Sequence, residues 1–210
     1  MPFRPIDMLL FLALVAGSSY YADHWLNLHG TIATAWKGLG VGLLALWAFA
    51  RGRPWIGLVL AFGAFGDVLL DAVSLTVGAI AFLAGHILAV GFYWRHRRSP
   101  ALPVFPVTLV IGSVAGMLTA SGNWVGVAIY SLGLGLMFET AWTSRFSRTT
   151  VGLGAALFVI SDLLIFARLG PLAASPLPGL LIWPTYFAGQ ALIAWGVVSE
   201  LAREDLHDRI

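Results

Sequence analysis

Apolar residues run along this chain in long blocks that are separated by short polar stretches. Most blocks approach the roughly 17–20 residues that a helix needs to cross a bilayer, and charges, prolines and asparagines fall in the breaks, as in RGRP and SGN. The pattern predicts an all-α, polytopic membrane protein with eight transmembrane helices, in which residues 1–210 form a single domain. The blocks cover residues 6–22, 32–50, 55–75, 77–94, 102–119, 124–142, 151–167 and 180–201.

The basic residues predict how these helices are oriented. If eight spans alternate, ten arginines share one side of the membrane, only Arg168 falls on the other side, and Lys37 lies inside the second block. Because cytoplasmic loops are enriched in Lys and Arg, we expect both termini in the cytoplasm and the protein in the cell inner (plasma) membrane. The ten arginines are Arg4, Arg51, Arg53, Arg95, Arg97, Arg98, Arg145, Arg148, Arg203 and Arg209.

Composition supports the same class. Hydrophobic residues make up 59% of the chain and charged residues 10%, against about 25% charged residues in soluble domains. A net charge of +2 gives no reason to expect nucleic acid as a partner, and the absence of cysteine excludes disulfides, thiolate metal sites and a cysteine nucleophile. The first block also has features of a signal peptide, but its apolar run extends to Tyr21 and favours a retained span.

Several ionisable side chains lie inside the apolar blocks, where each is costly unless it is paired, hydrated or neutralised. With both termini inside, a rise of about 1.5 Å per residue places most of them in one layer, from the midplane toward the non-cytoplasmic side. Glu139 is expected outside this layer, nearer the cytoplasmic interface. The layer contains Lys37, Asp67, Asp71, His86 and Asp162, with Tyr130, Ser161, Tyr186 and Gln190 as uncharged members.

Two carboxylates in this layer suggest acid–base chemistry. Asp67 and Asp71 are four residues apart and share one helix face. In a low dielectric two such groups do not both ionise readily, so the pair offers a proton donor beside an anion. The alternative is a structural network in which Lys37 pairs with one of them. Gly66, which lacks a side chain, could open space beside Asp67.

Other chemistries have weaker support. Because His86 is the one imidazole in the layer, a site of two carboxylates and one histidine could hold a divalent ion, but we expect no metal and no cofactor. Ser161 precedes Asp162 without the G-x-S-x-G context of a serine nucleophile. Buried Asp, Lys and His also build proton pathways, so a proton-coupled transporter or a lipid-binding membrane protein is the rival class.

At these residues the chain resembles the YhhN-like integral-membrane lysoplasmalogenases over nearly its whole length. No single motif is specific, but the ordered set is. The family often has Lys-Pro in the second span, where Lys37-Gly38 stands here. The markers are Gly66-Asp67, Phe82, His86, Tyr130, Met137, Ala141, Gly154-Ala155, Phe158, Ser161, Asp162, Tyr186 and Gln190.

The resemblance implies an ether hydrolase that cleaves the vinyl ether bond of lysoplasmalogens to a fatty aldehyde and glycerophosphoethanolamine or glycerophosphocholine. Another lysolipid is the alternative substrate, and membrane lipids surround the protein; its oligomeric state stays open. Asp67 and Asp162 would share the acid and base roles, in one cavity in the outer half of the membrane. Substrate contacts would come from Lys37, Asp71, His86, Tyr186 and Gln190.

Overall fold

The computed structural model describes residues 5–26, 28, 30–98, 105–119 and 124–207. Within these ranges the chain forms helices and no strand, and each predicted block contains a helix. A 3-10 turn, Tyr20–Ala22, joins the first two helices, and a π-helical turn, Arg148–Gly152, precedes the eighth. The helices are α1 Asp7–Ser19, α2 Asp23–Leu26, α3 Thr31–Ala50, α4 Pro54–Ala72, α5 Leu75–Arg95, α6 Pro106–Leu118, α7 Trp124–Thr143, α8 Leu153–Arg168 and α9 Leu177–His207.

Six of the described helices are long and apolar enough to cross a membrane: α3, α4, α5, α7, α8 with its π turn, and α9. Helices α1 and α6 have 13 residues each, or about 20 Å, which is less than the roughly 30 Å of the hydrocarbon core. The protein is therefore an all-helical membrane protein with six candidate spans, and the count of eight spans stays a prediction.

Glycines let two pairs of helices approach closely. A Cβ atom on Gly40 of α3 would lie 2.8 Å from the Cα atom of Gly17 in α1. A Cβ atom on Gly154 of α8 would lie 2.7 Å from the carbonyl oxygen of Gly189 in α9, and the reverse contact is equally short. Small residues at such crossings bring membrane helices into backbone contact. The second contact holds together the helices that carry Asp162 and Tyr186.

One end of the bundle collects most of the arginines. Ion pairs join Arg51 to Asp7, Arg53 to Asp205 and Arg145 to Glu204, so the beginning of α1, the turn between α3 and α4 and the end of α9 meet there. We call this the arginine-rich end; Arg4 and Arg209 lie outside the described residues. Its position in the cytoplasm stays a prediction.

Glu139, expected near the membrane interface, is buried within the bundle, with 4% of its surface exposed. Its carboxylate accepts hydrogen bonds from the backbone N–H of Val107, at 2.6 Å, and from the hydroxyl of Thr108, at 2.7 Å. These groups belong to the first turn of α6, whose N–H groups have no partners within their own helix. Glu139 therefore ties the start of α6 to α7.

Candidate active site

A cavity of about 670 Å³ lies at the end of the bundle opposite the arginine-rich end, where α4 and α8 finish and α3, α5 and α9 begin. It is lined by side chains from across the chain, including Asp67 and Asp162. The prediction that these two aspartates line one cavity is therefore confirmed. Lys37, Asp71 and Tyr186 also line it.

Asp67 is held by a tyrosine from the other end of the chain. Its side chain is buried, with 3% exposed, and Oδ2 accepts a 2.8 Å hydrogen bond from the hydroxyl of Tyr186. Gln190, one turn further along α9, donates from Nε2 to the Tyr186 oxygen at 3.3 Å. We call these three residues the Asp67 network. Within the described residues Oδ1 of Asp67 makes no hydrogen bond, so this oxygen remains available in the cavity.

Asp162 has a matching arrangement. It is 5% exposed, and its Oδ2 accepts a 2.6 Å hydrogen bond from the hydroxyl of Tyr130 on α7. Nε2 of His86 lies 3.4 Å from the Tyr130 oxygen. Because the hydroxyl proton of Tyr130 points to Asp162, the imidazole is the donor, which requires a proton on Nε2. We call these residues the Asp162 network.

Tyr130 is the residue of this site that the sequence did not assign. It belongs to the predicted polar layer, but nothing in a lone tyrosine of an apolar helix indicates which group it bonds. The structure makes it the counterpart of Tyr186: each hydroxyl donates to a carboxylate and accepts from an N–H group. Hydrogen bonds to a carboxylate are stronger than those between neutral groups and fix its orientation.

Two phenylalanines form a wall behind the aspartates. Phe82 packs edge-on against Tyr186 and Phe158, with ring centroids 5.8 Å and 6.1 Å away. A Cβ atom on Gly66 would lie 2.9 Å from the ring of Phe82. The expected open space at Gly66 is therefore wrong, because the aromatic ring fills it.

His86 and Gln190 lie behind this wall and do not line the large cavity. They face a separate space of about 20 Å³ beside Phe158, which is room for about one water molecule. The sequence suggested that both residues contact the substrate directly. Because neither lines the large cavity, their positions do not provide such a contact. Among the described residues, His86 is hydrogen-bonded to Tyr130 and Gln190 to Tyr186, so each positions a tyrosine that lines the cavity.

Lys37 and Asp71 form an ion pair with Nζ and Oδ1 2.9 Å apart, at 14% and 29% side-chain exposure. Lys37 could form an ion pair with Asp67 or with Asp71, and it pairs with Asp71, which is nearer the end of α4. The carboxylates of Asp67 and Asp71 thus share a helix face but have different partners, a tyrosine and a lysine.

The alternative chemistries find no support in side-chain positions. The hydroxyl of Ser161 donates to the backbone oxygen of Phe158 at 2.8 Å and lies 3.4 Å from Asp162 Oδ1. The described hydrogen bond of His86 is to Tyr130, so Ser161 and His86 are not paired as nucleophile and base. Across the described ranges no three His, Asp or Glu side chains are grouped as ligands of a metal would be.

Apolar residues of α5 and α7 form one wall of the cavity. Ile80 of α5 and Ile129 of α7 both line it, and these residues are 62% and 54% exposed. Burial of an alkyl chain against such a surface is favourable because it removes apolar area from water.

A comparison with models of protein families identifies the family of this chain. The model of the YhhN family matches residues 32–197, from the start of α3 into α9. The chain belongs to the YhhN family. Neither a curated protein nor a solved structure matches it.

The part shared with the YhhN family contains both aspartates and their hydrogen-bond partners. Both networks, the Lys37–Asp71 pair and the wall of phenylalanines fall within residues 32–197. Helices α1 and α2 and the 3-10 turn between them lie outside the match. In this YhhN protein the turn adds Tyr20 and Tyr21, and α2 adds Asp23 and His24, to the lining of the cavity.

Proposed function

We propose that this YhhN protein is a membrane-bound ether hydrolase that cleaves the vinyl ether bond of lysoplasmalogens. The single observation that carries the proposal is the pair of buried aspartates in one cavity, each oriented by its own tyrosine. The apolar residues that α5 and α7 contribute to the lining suit a substrate with a long alkyl chain. YhhN membership is consistent with this activity.

The chemistry needs a proton donor, a negative group and water. Protonation of the β-carbon of the vinyl ether leaves an oxocarbenium ion, which water attacks; the resulting hemiacetal collapses to a fatty aldehyde and the free glycerol hydroxyl. General acid–base catalysis and a fixed carboxylate beside the cation both lower the barrier. Asp67 and Asp162 divide these roles, and the two tyrosines hold them in position before the lipid arrives.

The remaining cavity residues serve binding. The alkenyl chain lies along the apolar walls that α5 and α7 provide, and the glycerophosphate portion lies toward the helix ends that carry Lys37 and Asp71. His86 and Gln190 act through Tyr130 and Tyr186. In this arrangement both termini are cytoplasmic, the chain is one domain in the plasma membrane, α1 and α6 complete eight spans, and the cavity lies toward the outer leaflet.

Product analysis in heavy water tests the activity. Purified full-length protein in detergent is incubated in D₂O with a lysoplasmalogen or with the corresponding 1-acyl lysophospholipid. We expect fatty aldehyde from the vinyl ether alone, with one deuterium on the carbon next to the carbonyl, because the proton is delivered to that carbon. Free fatty acid from the acyl lipid, with no aldehyde from the vinyl ether, would identify an ester hydrolase instead. Proton-coupled lipid movement without either product would indicate a transporter.

The tyrosines give a graded test of the two networks. Removing the hydroxyl in Tyr130→Phe or Tyr186→Phe is expected to lower kcat by about 10-fold to 100-fold, since a hydrogen bond to a charged group contributes about 1.5–3 kcal/mol. The measurement is the initial rate of aldehyde release. Tyr93→Phe is the matched control, because the Tyr93 hydroxyl is buried without a partner among the described residues. Equal rates for all three variants would contradict the role of the networks.

A further inference from the structure

The rim of the cavity contains a cation that the proposed chemistry has not used. Arg168, the last residue of α8, lines the same cavity as Asp162 and is exposed. It makes no hydrogen bond or ion pair with any residue that the structure describes. Lys37, the other cation of the lining, is already bonded to Asp71. Within the described part of the chain, no residue occupies the guanidinium of Arg168, which leaves it available to a ligand.

Arg168 differs from the other described arginines in its location, although Arg203 also makes no hydrogen bond or ion pair among the described residues. Arg51, Arg53 and Arg145 form ion pairs at the arginine-rich end, and Arg95 lies over the ring of Trp55. Arg168 lies at the opposite end of the bundle, beside a cavity with several aspartates, and forms no pair with any of them among the described residues. Because Arg168 lines the cavity, its charge is placed to bind an anion that comes with the substrate.

A guanidinium is the side chain that best matches a phosphate, because its fixed fork of N–H donors bonds two oxygens at once. The distance between Asp162 and Arg168 along α8 also agrees with a phosphate ligand at Arg168. Asp162 and Arg168 are six positions apart along α8, which is a rise of about 9 Å. In a lysoplasmalogen, six bonds join the vinyl carbon to phosphorus, or about 7 Å when extended, at the roughly 3.5 Å per three bonds of an extended chain. The long arginine side chain covers the difference.

We propose that Arg168 binds the phosphate of the lipid headgroup and makes the site selective for lysolipids that contain a phosphodiester over uncharged alkenylglycerols. This inference rests on the proposed function for the identity of the lipid. With the phosphate at Arg168, the vinyl ether lies at the level of Asp162, and the alkenyl chain lies against Ile80 and Ile129.

Binding of uncleavable lipids tests this proposal without relying on hydrolysis. The ligands are a saturated 1-alkyl-glycerophosphocholine, which has the phosphate but no vinyl ether, and a 1-alkylglycerol of the same chain length. Their affinities are measured for full-length wild-type protein, Arg168→Gln and Arg168→Lys in a maltoside detergent. Arg203→Gln, at the other end of the bundle, is the control.

We expect Arg168→Gln to weaken binding of the phosphocholine lipid by about 10-fold to 100-fold, as for loss of a charge-assisted bidentate contact, and to leave alkylglycerol binding unchanged. Arg168→Lys is intermediate, because an ammonium keeps the charge without the fork. Unchanged phosphocholine affinity, or an equal loss for both ligands, would overturn the proposal. Inorganic phosphate that competes with the lipid only in the millimolar range supports a headgroup site, whereas phosphate bound more tightly than the lipid would overturn it.

The two proposals fail in different ways. If the wild-type protein releases no aldehyde, while Arg168→Gln binds the phosphocholine lipid more weakly than the wild type does, the phosphate site stands and the proposed hydrolase activity is wrong. If aldehyde is released and Arg168→Gln changes neither affinity nor KM, the hydrolase stands and the phosphate site is wrong.

Discussion

Replacing either Asp67 or Asp162 with asparagine is expected to lower vinyl ether hydrolysis by about 10³-fold, within the range that positioned acids and bases contribute. Asparagine has almost the same shape as aspartate, and its amide oxygen still accepts the hydrogen bond from Tyr186 or Tyr130. It supplies neither an acidic proton nor a negative charge. The loss therefore reports chemistry rather than packing, and it is measured as the initial rate of aldehyde release.

A matched control and a folding check complete this experiment. Asp205→Asn makes the same change at the arginine-rich end, where Asp205 pairs with Arg53, and should keep full activity. Both site variants should elute as folded protein on size-exclusion chromatography and still bind the saturated 1-alkyl lysolipid. Near-wild-type aldehyde release by either Asp67→Asn or Asp162→Asn would remove that aspartate from the mechanism.

The largest expected effect on stability is at the contact between α8 and α9. In Gly154→Val a Cβ atom would lie 2.7 Å from the backbone oxygen of Gly189 and 3.1 Å from the backbone nitrogen of Ile193. Backbone atoms cannot move aside as a side-chain tip can, so the two helices must separate. We expect the free energy of unfolding to fall by about 3 kcal/mol, at the upper end of ordinary overpacking, with a clear drop in Tm.

Activity should fall together with stability in this variant, because α8 carries Asp162 and α9 carries Tyr186. The measurement is thermal unfolding in detergent, followed by size-exclusion chromatography. Gly112→Val in α6 is the control, since a Cβ atom there has no neighbour within 4 Å. A Gly154→Val protein with the Tm of the control would contradict the contact.

The sequence predicted the helices well because the signal for a membrane helix is long and redundant. Each of the eight apolar blocks contains a helix, and the common depth of the polar groups placed Asp67 and Asp162 in one cavity. Lengths were predicted less well. The block at 102–119 contains a 13-residue helix that begins at Pro106, where proline fits the first helical turn because its missing N–H is not needed there.

Hydrogen-bond partners could not be predicted, since they depend on how each helix is rotated about its axis. The predicted depth of Lys37 in the membrane allowed an ion pair with either Asp67 or Asp71. The packing of α3 on α4 in the structure selects Asp71 as the partner. The predicted depths did not identify a hydrogen-bond partner for Tyr130, and they led us to expect that His86 and Gln190 contact the substrate directly. Glu139 was left aside because sequence does not show that the N-terminus of α6 lies against it.

The apolar wall that Ile80 and Ile129 give to the cavity bears on the concentration to which the proposed enzyme would respond. If its lipid substrate reaches this wall from the plane of the bilayer, the encounter rate depends on the number of lipid molecules per unit area of one leaflet. Diluting vesicles in buffer should leave the rate per vesicle unchanged, whereas diluting the substrate with inert phospholipid inside the same vesicles should lower it. Saturation would then be expressed as a mole fraction in the membrane.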